Sequence, residues 1–353
     1  RIWYGLFLSI TGLPLAIATP FWGILSDKVG RKPMSLRASI AGALILGSMG
    51  FARSANTLLI LRVFQGFFTG TVTANLTLIV TQSPEDRIGL SIGVMNSAVF
   101  AGNTIGPLLG GLFADKFGYR YGYFISGILL FLSFCITLLF VNENFEKGKS
   151  DSSARALKDA LKTMFNDRRI IKILSLIFVF AVATVLLRPL YPLLVQELLP
   201  SGEGLALYAG IVNSARGIAT VLAGLIIGVI VDRYKNIPIG AVIASLAALA
   251  LVPLVFVDSI LKLIVFVFIA ALLMGGINPV LNTYLSRFVP NKKRGAAYGI
   301  AGSSKALGWA VGGVSGGFLS AQYGLRNVFI FGAVFFAFIA MIFLTAERKT
   351  DRI

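Results

Sequence analysis

Along this chain, apolar stretches of about twenty residues alternate with short clusters of charged and turn-forming residues. A hydrocarbon core about 30 Å thick is crossed by about 20 residues of α-helix, so stretches of this length predict membrane spans. Eleven can be counted, near residues 3–25, 36–52, 57–80, 88–113, 120–141, 170–196, 205–231, 237–257, 260–286, 295–319 and 326–346. None shows the strict two-residue alternation of a barrel strand. The pattern predicts an all-α integral membrane protein built as a helical bundle.

Composition agrees. Of 353 residues, 56% are apolar and only 13% charged, about half the charge of a soluble domain. The formal net charge of +17 could suggest nucleic acid as a partner. The basic residues, however, fall in short clusters between spans, which is membrane topology and predicts a lipid bilayer partner. Of the 32 Lys and Arg residues, 22 fall on one side of the predicted spans, 6 on the other and 4 within them, so the first side is predicted to be cytoplasmic. The four within spans are Arg62, Arg188, Arg216 and Lys305. A single cysteine, Cys135, excludes a disulfide framework and a cysteine-based metal site.

Residues 142–169 form the one long polar stretch, a cytoplasmic linker between helical halves at 1–141 and 170–353. Within it Leu157, Leu161, Met164 and Phe165 recur at helical spacing, as in an amphipathic helix on an anionic leaflet or a solvated tether. The two halves repeat each other. Pro84, Arg87, Gly93, Gly106, Gly110, Gly111, Gly118, Arg120 and Phe124 are echoed by Pro290, Arg294, Gly299, Gly308, Gly312, Gly313, Gly324, Arg326 and Phe329. Gly23, Asp27 and Lys28 are likewise echoed by Gly228, Asp232 and Arg233. Such duplication places a site between halves that rock against each other. The second half has six predicted spans and the first five, so a first helix is expected to be missing from a 6+6 parent.

Three motifs carry chemistry. Residues 23–32 read Gly-Ile-Leu-Ser-Asp-Lys-Val-Gly-Arg-Lys, in which Asp27 at a helix end could accept amide donors from a facing helix N-terminus near Arg294. Gly23 and Gly30 would permit close approach and a tight turn, and Lys28, Arg31 and Lys32 add cytoplasmic charge. Together with Asp232 and Arg233 these residues form a candidate gating latch. Arg62 lies in a span, followed by Gln65 and Gly66, and a cation there is costly enough to be functional by default. Gly102, Gly106, Pro107, Gly110 and Gly111 combine small residues four apart with a mid-helix proline, which favours backbone contact.

On these residues the chain resembles the major facilitator superfamily. Residues 23–32 follow its G-x-L-x-D-R-x-G-R-K loop, with Lys28 in place of Arg, and Arg62, Gln65 and Gly66 follow its R-x-x-Q-G pattern. The helix-five element G-x-x-x-G-P-x-x-G-G marks its twelve-helix drug:proton antiporter branch, and bacterial multidrug-efflux members are the nearest in kind. The resemblance implies a pseudo-two-fold 6+6 bundle with about eleven of its helices here. It also implies a proton relay or coupling role for Arg62 and Gln65. The expected activity is secondary active export of a small amphiphilic solute or drug by alternating access, in exchange for protons. The expected setting is the cell membrane, as a monomeric multi-pass protein with linker and C-terminus cytoplasmic.

Polar side chains in the remaining spans mark a candidate cavity: Asn75, Arg188, Tyr191, Asn213, Arg216, Asn278, Asn282, Lys305 and Trp309. No carboxylate falls in the middle of a predicted span, so Arg62, Arg216 and Lys305 hint at an anionic or zwitterionic amphiphile. An uptake symporter or facilitator for a small metabolite is the same-fold alternative. A membrane enzyme would need a carboxylate pair, a metal cluster or a Ser/His arrangement, none of which is visible, and a non-transporting receptor is a further alternative. No cofactor, metal or nucleic acid is expected.

Overall fold

A computed structural model describes residues 6–7, 10–84, 87–143, 168–200, 202–233, 239–289 and 294–350. Among them there is no strand. The helices are α1 (Gly12–Val29), α2 (Arg31–Gly50), α3 (Ala55–Phe68), α4 (Thr71–Gln82), α5 (Ile88–Phe117), α6 (Tyr119–Phe140), α7 (Arg168–Leu187), α8 (Leu190–Leu198), α9 (Leu205–Arg233), α10 (Ile239–Leu251), α11 (Ile260–Gly275), α12 (Ile277–Phe288), α13 (Arg294–Gln322) and α14 (Val328–Thr350). A 3-10 turn, Val252–Phe256, extends α10. Large apolar side chains such as Leu139, Phe140, Leu225, Val229, Leu249 and Phe256 stand exposed on the helix surfaces. Water would not tolerate so much apolar surface; lipid requires it.

Each predicted apolar run holds a helix, but three runs hold two helices each. The run at 57–80 breaks between α3 and α4 at Thr69 and Gly70, where Gly70 has φ 111°. The run at 170–196 breaks at Arg188 and Pro189, because the proline closes one helix and starts the next. The run at 260–286 breaks at Gly276. Among the described residues six stretches can cross a membrane by length and hydropathy, namely Ser97–Phe117, Tyr119–Phe140, Arg169–Leu198, Leu205–Val231, Ile239–Phe256 and Ile260–Leu285. The shorter helices Ala55–Phe68 and Val328–Leu344 are also apolar. The count of eleven spans is therefore not reproduced by this measure. Breaks and polar positions shorten or dilute the other runs.

The internal repeat reappears as repeated local structure. Gly118, at φ 90°, ends α5 as Gly324, at φ 86°, follows α13. Ser54 caps α3 by accepting the Thr57 amide, and Ser259 caps α11 by accepting the Lys262 amide. The breaks at Gly70 and Gly276 also correspond.

The helices cluster into two compact units, one comprising Ile10–Asn103 and Leu112–Asp159, the other Thr104–Gly111 and Ala160–Ile353 together with the first nine residues. In the first, α2 packs on α6 through small residues. A Cβ added at Gly127 would lie 3.0 Å from the Ala43 carbonyl oxygen, and one at Gly50 would strike the Phe124 ring. At the far end Glu143 bridges back to α2. Its carboxylate accepts the Arg31 amide at 2.7 Å and the Lys32 amide at 2.8 Å, while Lys32 Nζ donates to the Leu138 carbonyl at 3.0 Å. Two of the unpaired amides that every helix N-terminus carries are satisfied this way.

The second unit is centred on α7 and α13. Every fourth residue of α13 meets every fourth residue of α7. Ser304 donates to the Leu174 carbonyl at 3.0 Å. Added Cβ atoms at Gly308, Gly312 and Gly316 would collide with the carbonyl oxygens of Phe178, Val182 and Leu186 in turn. Both series ascend together, so the two helices run parallel with their backbones touching. Phe329, Phe336 and Phe343 of α14 form a fully buried stripe two turns apart, against Tyr191 of α8, edge-on to Phe180 of α7 at 6.2 Å, and against Gly240 of α10 and Tyr284 of α12 respectively. In the same unit α5 meets α9 by the same device. A Cβ at Gly111 would overlap the Ala206 carbonyl oxygen, and one at Gly210 the Pro107 carbonyl oxygen. Ser214 adds a hydrogen bond to the Thr104 carbonyl at 2.6 Å. By contrast Gly102, Gly106, Gly110 and Gly23 have open space beside their Cα atoms. Within the helix-five element it is Gly111 that meets a neighbouring backbone.

Two stability predictions follow from this packing. Gly312→Leu or Gly111→Leu should destabilise the detergent-purified protein by about 3 kcal/mol or abolish its folding, whereas Gly106→Ala should stay within about 0.5 kcal/mol. Thermal unfolding followed by size-exclusion chromatography reads both. Glu143→Ala should cost roughly 1–2 kcal/mol, seen as a lower melting temperature in the same assay.

Candidate functional site

The latch motif forms the connection between α1 and α2. Gly30 is at once the last residue beyond α1 and the residue preceding α2, with φ 111°, a conformation that a side chain would strain. Arg31 and Lys32 begin α2, so their backbone amides are the ones Glu143 takes up. Asp27 and Lys28 lie in the last turn of α1, and Asp232 and Arg233 in the last turn of α9, the equivalent position in the repeat. The side chains of Asp27, Lys28 and Asp232 lie outside the described residues, as does most of the 142–169 connector with its expected amphipathic helix.

Arg62 and Gln65 share one face of α3, and Arg62 donates to Gln65 Oε1 at 3.0 Å. Gly66 follows, pressed so closely on the Thr11 carbonyl that a Cβ would overlap it. Arg37, one of the 22 cations counted on the predicted cytoplasmic side, lies within α2. There its guanidinium lies 3.5 Å from the centre of the Trp22 ring, and two of its nitrogens are buried without hydrogen-bond partners. Trp22 is in turn held by donation from its Nε1 to the Phe67 carbonyl at 2.7 Å. The signal that could have revealed Arg37 is its spacing, two turns into a helix beyond the Arg31–Lys32 pair.

Asn75 of α4 accepts a hydrogen bond from the buried Ser35 hydroxyl of α2, so it joins helices. Asn213 Nδ2 donates to the Ala209 carbonyl of its own helix at 2.9 Å. On α12, Asn278 is half-buried and Asn282 exposed. The remaining candidates converge within the second unit. Arg188 occupies the break between α7 and α8, Tyr191 lies one turn on, Arg216 is eleven residues into α9, and Lys305 and Trp309 are one turn apart on α13.

Arg188 and Lys305 both approach the Trp309 ring, at 5.9 and 5.6 Å from its centre, while Arg216 approaches the Tyr191 ring at 6.0 Å. Tyr191 is only 2% exposed and packs 6.1 Å from Phe329. No carboxylate joins this group among the described side chains. Glu197 is taken by Arg326 at 2.9 Å, Glu203 is exposed in a loop, and Asp258 pairs with Lys262 at 2.8 Å. The Lys262 hydrogen bond holds the Asp258 carboxyl below its ordinary range. Arg188, Arg216 and Lys305, all named in the candidate cavity, share this unit, and Arg62 is part of the other. Among the described residues no cluster of His, Cys, Asp and Glu could hold a metal.

With this geometry in place, comparison with known proteins is informative. The sequence profile of the Major Facilitator Superfamily matches residues 3–272 and 183–352. A multidrug resistance protein MdtG from Rahnella sp. is 33% identical over 95% of this chain and 81% of its own length. MdtG from Proteus mirabilis is 33% identical over 99% of this chain and 88% of its own. Among solved structures, a mutant of the nucleoside transporter NupG superposes with a TM-score of 0.79 at 16% identity, covering 98% of this chain and 90% of that one. A bacterial homologue of the human lysosomal transporter Spinster, inward-facing and unoccupied, gives 0.75 at 15% identity, covering 98% and 95%. At such identities the structures speak for the fold alone. With the profile and the relatives, they establish that this chain, a multi-pass membrane protein, belongs to the Major Facilitator Superfamily.

Proposed function

We propose that the protein is a secondary active transporter that exports a small amphiphilic solute or drug by alternating access, in exchange for protons. The observation that carries this reading is the 33% identity, maintained over nearly the whole chain, to relatives named as multidrug resistance proteins. Two halves, 1–141 and 170–353, joined by the 142–169 connector, would rock about a site near the bilayer midplane, the usual position in a fold built from duplicated helical units. The excess of Lys and Arg on one side puts the connector and C-terminus in the cytoplasm of a cell-membrane protein, and the protein is read as a monomer.

The roles follow from chemistry. Asp27, at the C-terminal end of α1, is a fixed negative charge able to hold helix amides, and breaking that contact would release the cytoplasmic side. Glu143 on the start of α2 supports the same corner, because it anchors the backbone of Arg31 and Lys32. The part of Arg62 in coupling is to orient Gln65 and fix a positive potential beside a proton path. Gly70 and Gly276 divide the third and ninth apolar runs, giving each two short helices that can tilt separately.

Asp27→Asn and Arg62→Ala should each lower export about tenfold with insertion into the membrane intact, as expected where an intramembrane or helix-end charge is functional. Everted vesicles with an imposed pH gradient provide the assay. Solute entry that collapses with the gradient supports exchange for protons. Entry of the same rate and extent with no gradient identifies a facilitator and rules the exchange out.

A further inference from the structure

Three cations of the second unit, Arg188, Arg216 and Lys305, come from three different helical segments yet gather on two aromatic rings. Two share the Trp309 ring, and the third lies against Tyr191. Three positive charges at membrane depth with no described carboxylate nearby constitute an unbalanced arrangement, which folded proteins keep where a ligand supplies the missing charge. The Arg216 side chain sharpens the point, because its Nε is buried and donates to nothing in the protein. Arg188, at the break between α7 and α8, presents exposed surface. Guanidinium groups have the planar fork that matches the oxygens of a carboxylate or phosphate, and Lys305 adds a point charge. The indole and phenol rings beside them supply apolar contact for what the oxyanion is attached to.

We infer that Arg188, Arg216 and Lys305 form a recognition site for an oxyanion, carboxylate or phosphate-like, carried on an apolar body, so that the solute is an anionic amphiphile. This rests on the transporter reading above and narrows its substrate class. Tyr191 and Trp309 are positioning residues that hold the cations and flank the apolar body. The packing of α13 on α7 through Ser304, Gly308 and Gly312 keeps Lys305 and Trp309 beside the α7–α8 break that carries Arg188.

Calorimetric titration of the full chain in lipid nanodiscs, with empty nanodiscs subtracted, tests the site directly. The probes are dodecyl phosphate, inorganic phosphate and dodecyltrimethylammonium, the last with the same tail and the opposite charge. Dodecyl phosphate should bind at least about tenfold more tightly than either of the others, and Arg188→Gln or Arg216→Gln should weaken it by about tenfold or more, the usual scale for losing a buried charged contact. Arg216→Lys, which keeps the charge, should lose less than the Gln variant, and Arg120→Gln, far along the chain on α6, should bind as the parent does. Equal or tighter binding of dodecyltrimethylammonium by the unaltered protein overturns the site whether or not the variants fold. Inorganic phosphate binding as tightly as dodecyl phosphate overturns the apolar body and leaves a free oxyanion as ligand. The flux of dodecyl phosphate in everted vesicles separates the two readings. Selective binding without flux upholds the site and defeats export, whereas proton-driven drug flux without any preference for anions defeats the site alone.

Discussion

Lipid removes the force that packs helices in water, since a leucine gains nothing by leaving hydrocarbon for another helix. What remains is close contact of backbones, and in this protein that contact depends on positions without side chains. The α7–α13 seam is the principal instance. Ser304, Gly308, Gly312 and Gly316 meet four successive carbonyl groups of α7. Any larger residue would hold the helices apart along the whole seam. The placement of Lys305, Trp309 and Arg188 depends on this separation.

The same constraint explains how much could be read from the sequence. Apolar length is set by membrane thickness, so each of the eleven runs does contain a helix, and the internal repeat that pairs Gly106 with Gly308 also pairs the positive-φ residues Gly118 and Gly324. The breaks were not legible, because hydropathy does not register backbone angles. Gly70 sits in a run as apolar as its neighbours and still adopts φ 111°. Nor can a motif say which of its glycines is pressed. Gly106 and Gly111 belong to one element, but a helix presents them to different sides, and only Gly111 meets a neighbouring backbone.

Charges were harder to place than helices. Glu143 fell in what read as the linker, yet it satisfies the start of α2. Arg37 entered only the count of cytoplasmic-side cations, yet it is stacked on Trp22. In both cases sequence separation concealed the partner, 112 residues away for Glu143 and Arg31. The cations of the two units also differ in kind. Arg62 is tied to Gln65 on its own helix, while Arg188, Arg216 and Lys305 gather around two aromatic rings with no described acid to neutralise them. Desolvating charge is costly, and a protein bears that cost where something outside the chain relieves it.

The glycine seam has one more consequence. A strip that repeats every turn with almost no relief fits its neighbour nearly as well when displaced lengthwise by a turn, much as a smooth rail offers no notch. Axial position along that strip must then be encoded elsewhere, and the hydroxyl of Ser304 on the Leu174 carbonyl supplies a directional bond there. Information that distinguishes a correctly seated helix from a slipped one is thereby carried by such side-chain bonds and by the bulky residues beyond the strip's ends.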